Sequence, residues 1–184
     1  MLVFGIDPGL TRCGVGLVRG SPGRAEFVDA GVIRTPTDLP VARRLLLLET
    51  ALEDWLEKTQ PEAVAVEQVF AQHNLMTVVG VAQAAGVALL VAARHGLPVA
   101  SYTPSAVKAA ITGSGRADKA QVGTMVCRVL RLEAAPRPAD AADAVALAIC
   151  HLWRGGAEAR LAAAAPAVRP ASWGRVVAQS KAGR

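Results

Sequence analysis

Apolar residues fall in blocks along this chain, and the period within each block names an element. Leu2-Val3-Phe4-Gly5-Ile6 is a continuous apolar run, the pattern of a strand buried on both faces. Residues 13–18 and 26–34 read as two further strands, parted by the turn Gly20-Ser21-Pro22-Gly23. Three strands in succession predict an antiparallel meander. From Pro40 to Lys58 the period changes, with Leu45, Leu48, Leu52, Trp55 and Leu56 at helical spacing. Residues 63–66 form a short apolar strand that ends on Glu67. Residues 75–93 predict a long apolar helix, and Val99 to Tyr102 a last strand. Three helices are expected near 104–111, 118–131 and 139–153. Strands first, then strands alternating with helices, give the α/β class with a mixed sheet.

From Gln68 to Ala93 there is no formal charge. By length this stretch could span a membrane. Gln72, Asn74, Thr77, Gln83, Gly80 and Gly86 interrupt it, so it reads instead as a helix buried twice, against its own sheet and against a partner. Gly80, Ala84, Ala85 and Ala88 are small enough to let another backbone come close. Gly80, Ala84 and Ala88 are therefore the expected surface of a homodimer.

Composition adds location to this outline. The chain has 184 residues and a net charge of +5. A single domain, residues 1–154, is expected, with the Ala-, Pro- and Arg-rich residues 155–184 as a flexible basic tail. Residues 1–150 hold equal numbers of basic and acidic side chains, so the whole excess lies beyond them. Within the neutral part, residues 94–137 are locally basic through Arg94, Lys108, Arg116, Lys119, Arg128, Arg131 and Arg137. Such a face suits a polyanion. Cys13, Cys127 and Cys150 are far apart, which argues against a zinc site or a disulfide framework. With no secretory signal expected, a reducing cytoplasm fits.

The chemistry rests on four carboxylates. Asp7 and Glu67 each stand where an apolar strand stops, and ligands of α/β sheets bind beyond the carboxyl ends of strands. Asp140 and Asp143, in Pro138-Ala-Asp-Ala-Ala-Asp143, are three apart and share a helical face. The last helix is apolar on most of its surface, which presses its acidic start toward the sheet. Two unit charges about 4 Å apart repel by roughly 4 kcal/mol at an effective dielectric of 20. Cations must relieve such a cluster, and hard divalent ions prefer oxygen ligands. Four carboxylates suit two ions, which together can hydrolyse a phosphodiester. Glycoside hydrolysis also uses paired carboxylates, but sugar sites favour aromatic platforms and only 4% of the chain is aromatic.

The segments GIDPGLTRCG (5–14), AVEQVF (65–70), AQAAGVAL (82–89), VK (107–108), GSGRADKAQV (113–122) and ADAADAVALAICH (139–151) together resemble the RuvC family of Holliday junction resolvases. GIDPG alone also occurs in actin-like ATPases and sugar kinases, whose two domains need a longer chain. A related nuclease acting on another branched DNA is the nearer alternative. The resemblance implies an RNase H-like fold, a five-stranded mixed sheet flanked by helices. It implies a homodimeric endonuclease dependent on Mg²⁺ or Mn²⁺, working with the branch-migration proteins RuvA and RuvB. It carries Asp7, Glu67, Asp140 and Asp143 over as metal-binding catalytic acids. Some family members place histidine where Asp140 stands, and Ala85 departs from a common arginine.

Lys108, Arg116 and Lys119 lie in or beside a Gly-rich loop and a helix start, where N–H groups and cations can cradle phosphate. They are the expected DNA contacts, with Lys108 and Lys119 nearest the scissile strand. The resemblance adds Phe70, three residues after Glu67, as a side chain that stacks on or wedges between bases. His73, His95 and His151 are expected to take no part in the acid site.

Overall fold

The structure, a computed structural model, describes residues 1–68 and 75–164, with the backbone alone for 75–77 and 156–164. Its five strands are β1 (Leu2–Asp7), β2 (Arg12–Ser21), β3 (Arg24–Arg34), β4 (Ala63–Glu67) and β5 (Val99–Tyr102). Its helices are α1 (Val41–Thr59), α2 (Leu75–Arg94), α3 (Pro104–Thr112), α4 (Lys119–Leu130) and α5 (Ala139–Ala164). The sheet order is β3-β2-β1-β4-β5. β1, β2 and β3 form the antiparallel meander, while β4 and β5 run parallel to β1.

Three elements outrun their predicted ends. β2 and β3 continue past the predicted turn until only Pro22 and Gly23 join them, with Gly23 at a φ of 80°. Their register shifts between Leu17 and Val18, which offsets the side-chain alternation of this long hairpin. α5 runs on to Ala164, because alanine favours a helix even where no apolar period marks one.

Each face of the sheet carries its own core. Phe4, Ile6, Val15, Val64 and Val66 pack against Leu48 and Leu52 of α1 and Ala84, Ala88 and Val91 of α2. Phe4 and Trp55 meet with ring centroids 5.8 Å apart. On the other face Val3, Val18, Ala65 and Tyr102 pack against Val145, Leu147 and Ile149 of α5, with α3 and α4 beside it. Alternation along β1, with Val3 facing one core and Phe4 the other, is why that strand reads as unbroken apolar sequence.

The burial of α2 corrects the expected dimer surface. Ala84 and Ala88 are 0% and 1% exposed and lie in this chain's own core. Their small size lets α2 sit close to the sheet, so they have no face left for a second chain. Gly80 lies beside Leu10. Among the described residues, the large apolar side chains of α2 that face outward are Val79, Leu89 and Leu90. Among the described residues, no helix is long and apolar enough to cross a membrane.

Candidate active site

Three elements bring the four acids together. Asp7 is the last residue of β1 and Glu67 the last of β4; these strands are parallel neighbours, so both carboxylates leave the same sheet edge. α5 supplies Asp140 from its first turn and Asp143 from the next, and glycines set its distance. A Cβ on Gly5 would lie 2.0 Å from the carbonyl oxygen of Ala144, and one on Gly16 2.6 Å from the amide nitrogen of Val145. Only strands stripped of side chains at these points admit the helix backbone.

Two lysines reach the same place through helix starts. Thr103 caps α3 by accepting from the amide of Ala106 at 3.0 Å, and Pro104 opens the first turn. That fixes Lys108 one turn in. Asp118 and Gln121 form a reciprocal capping box at α4, which places Lys119 at its first position. Asp7, Glu67, Asp140, Asp143, Lys108 and Lys119 line one open cleft of about 380 Å³, with Val107, Val122 and Leu147 among its apolar walls.

The electrostatics follow from this crowding. Burial, then repulsion from Glu67, Asp143 and Asp140, pushes the Asp7 carboxyl from an ordinary 3.8 up to about 7, against the pull of Lys119. Burial and Asp143 raise Glu67 as well. The two helix acids are held by cations of the chain itself. Arg12 donates from Nε and Nη2 to Oδ2 of Asp140, at 2.8 and 2.5 Å. Lys119 Nζ donates to Oδ2 of Asp143 at 3.1 Å, and that hydrogen bond raises the lysine's pKa.

The donor set is all carboxylate oxygen, the chemistry of a hard divalent ion, and burial together with the neighbouring carboxylates, which lift Asp7 to about 7, gives such an ion negative charge to neutralise. Among the described residues, no three His, Cys, Asp or Glu side chains are gathered tightly enough to chelate an ion as they stand. Arg12 already holds Oδ2 of Asp140, and Lys119 holds Oδ2 of Asp143. The carboxylates fit the metal in kind, and all four line one cleft.

The family model "Crossover junction endodeoxyribonuclease RuvC" matches residues 3–151, a span that holds all four acids. The chain belongs to the RuvC family. Members are nucleases, and divalent-metal dependence comes with the family. The chain is 65% identical over 177 residues to the RuvC of Cutibacterium acnes, covering 93% of this chain and 90% of that one. It is 64% identical over 165 residues to the RuvC of Thermobifida fusca, covering 89% and 91%. The structure of T. thermophilus RuvC in complex with Holliday junction substrate superposes with a TM-score of 0.81 at 36% identity, over 86% of this chain and 96% of that one. The five-stranded mixed sheet with its helices is thus the RNase H-like fold of RuvC structures.

Of the expected DNA contacts, Lys108 and Lys119 stand in the acid cleft, while Arg116 is exposed on the loop between α3 and α4 and does not line it. Phe70 and His73 lie outside the described residues. His95 pairs with Glu53 at 2.6 Å, and His151 is buried with Nδ1 2.8 Å from the Tyr102 hydroxyl, both away from the acids. Sequence reasoning missed Arg12. Its signal was the hairpin register: Asp7 pairs with Gly14, so Arg12 sits just beyond the strand end that carries the site.

Proposed function

We propose that the protein resolves Holliday junctions by paired, symmetric nicks in two strands of like polarity, in recombination and DNA repair. The observation that carries this reading is the convergence of Asp7, Glu67, Asp140 and Asp143 on one cleft walled by Lys108 and Lys119. The four acids would hold Mg²⁺ or Mn²⁺, two ions to a site. Such ions, when bound, activate water and stabilise the leaving oxygen of a phosphodiester. The chain's own groups do the rest. Lys119, its charged form favoured by Asp143, offers an N–H to a phosphate oxygen. Lys108 supplies a second cation across the cleft. Val107, Val122 and Leu147 form the apolar part of that wall.

Two-fold symmetry in the junction calls for two identical sites, which a homodimer provides. The outward apolar residues Val79, Leu89 and Leu90 of α2 offer the contact. Arg116, exposed on the loop between α3 and α4, would meet a flanking phosphate, and the family resemblance gives Phe70 the branch point. RuvA and RuvB are the proposed partners that deliver the junction. The deciding experiment incubates the protein with a synthetic four-way junction or a matched linear duplex, with and without Mg²⁺ or Mn²⁺. Paired nicks in the junction alone, only with metal, are expected. Equal cutting of the duplex would favour a general nuclease.

A further inference from the structure

Beside the acid cleft runs a second groove, of about 430 Å³, between the loop Gly9–Arg12, Arg44 of α1 and Gly80 of α2. Arg12 links the two. It lines this groove, yet both its hydrogen bonds go to one oxygen of Asp140 in the acid cleft. The pair is not sealed: the Arg12 and Asp140 side chains are 42% and 29% exposed. Arg44 is braced by donating from Nε to the Thr35 hydroxyl at 2.9 Å and from Nη2 to the Thr11 hydroxyl at 2.6 Å. The Thr35 hydroxyl in turn donates to the carbonyl oxygen of Leu10. That brace fixes the loop from which Arg12 reaches out. Nη1 of each arginine makes no hydrogen bond among the described residues. Gly9 and Gly80 leave parts of the groove wall without side chains.

Arg12 and a divalent ion would compete for the same carboxylate, and their like charges repel. A backbone phosphate in the groove offers Arg12 another anion, one that suits the planar fork of a guanidinium. Arg44 provides the second cation for that phosphate.

We propose that Arg12 is a positioning residue that couples the two binding events: it holds Asp140 in the DNA-free protein, then transfers to a DNA phosphate beside Arg44 and opens Asp140 to the metal. The coupling rests on the junction-nuclease reading. It is reciprocal, so metal and junction each raise the affinity of the other by the same factor.

The test replaces Arg12 with Gln and reads binding, not cutting. In DNA-free protein, Mn²⁺ binding followed by electron paramagnetic resonance should tighten about fivefold or more in Arg12→Gln. Arg12→Lys, which keeps the cation, should stay near wild type. Arg116→Gln removes the same charge away from Asp140 and should leave Mn²⁺ affinity unchanged. In EDTA, the slope of log Kd for a four-way junction against log salt should fall by about one in Arg12→Gln. A plain structural brace predicts the reverse pattern: a lower melting temperature, weaker Mn²⁺ binding and an unchanged salt slope. That result overturns the coupling while wild-type junction binding stands. Wild-type protein that binds the junction no better than duplex overturns the functional reading beneath it instead.

Discussion

A Cβ added to Gly14 would lie 2.0 Å from the carbonyl oxygen of Asp140. A strand of the meander and the helix that carries two of the acids are therefore in direct backbone contact at the active site. Gly14→Ala must push the start of α5 away, since neither partner is a flexible side-chain end. Overpacking of this kind costs about 1–3 kcal/mol or more, and a displacement of about 1 Å can cost about 100-fold in rate. The variant should melt lower and lose at least that much junction cleavage. Gly86→Ala, where a Cβ meets nothing within 4 Å, should instead keep or slightly raise the melting temperature. A Gly14→Ala protein with wild-type melting and cutting would disprove the contact.

Asp7 makes stability depend on pH in an unusual direction. Its folded pKa of about 7 lies above the ordinary 3.8, so the folded chain binds more protons than the unfolded chain between those values. Stability from this group is complete below about pH 4, falls as pH rises toward 7, and stays reduced above it, by on the order of a few kcal/mol. Asp7→Asn removes the charge and keeps the shape. At pH 8 in EDTA it should melt above wild type, with the difference closing toward pH 4. Mg²⁺ should stabilise wild type and do little for the variant. Cleavage should nearly vanish while junction binding remains. A variant no more stable than wild type at pH 8 contradicts the assignment.

Lys119 and Lys108 should separate chemistry from binding. Each faces the cleft that would take the reacting phosphate. Lys119→Ala and Lys108→Ala should lower the single-turnover cleavage rate by at least about tenfold, on the scale of one lost charge-assisted hydrogen bond. Junction Kd should change less. If Kd rises by the whole factor and the saturated rate stays normal, these lysines only attract DNA.

The two sides of α2 predict opposite outcomes for one kind of change. A charge at Ala84 falls into the core and costs several kcal/mol, so Ala84→Glu should unfold the protein. Leu90 is 50% exposed, and Leu90→Glu should leave circular dichroism intact while giving monomers in sedimentation. Folded monomers should lose paired incision. A Leu90→Glu protein that sediments as wild type moves the proposed dimer contact elsewhere.

How far the sequence could be read depends on range. Strand ends, helix periods and caps are local, so the sheet, its order of elements and the positions of Asp7 and Glu67 were all legible. The acid pair on α5 was legible because a three-residue spacing and an apolar helix are also local features. The pairing of Arg12 with Asp140 was not, since it spans 128 positions and depends on how three glycines admit α5. Ala84 and Ala88 misled for a related reason. Small residues signal a close neighbour, and nothing local says whether that neighbour is the chain's own sheet or another molecule.

α5 touches every strand of the sheet and also holds half of the acids. The two acids of this helix therefore move only with it, and it is packed across the whole sheet. Its amides near Asp143 should exchange with deuterium only through openings close to global unfolding. Activity lost in urea should then track the loss of the fold, with no window in which the protein stays folded but inert. Inhibitors that work by prising this cleft open would have to disrupt the whole molecule. Those that occupy it as found must contend with Arg12 on Asp140 and Lys119 on Asp143.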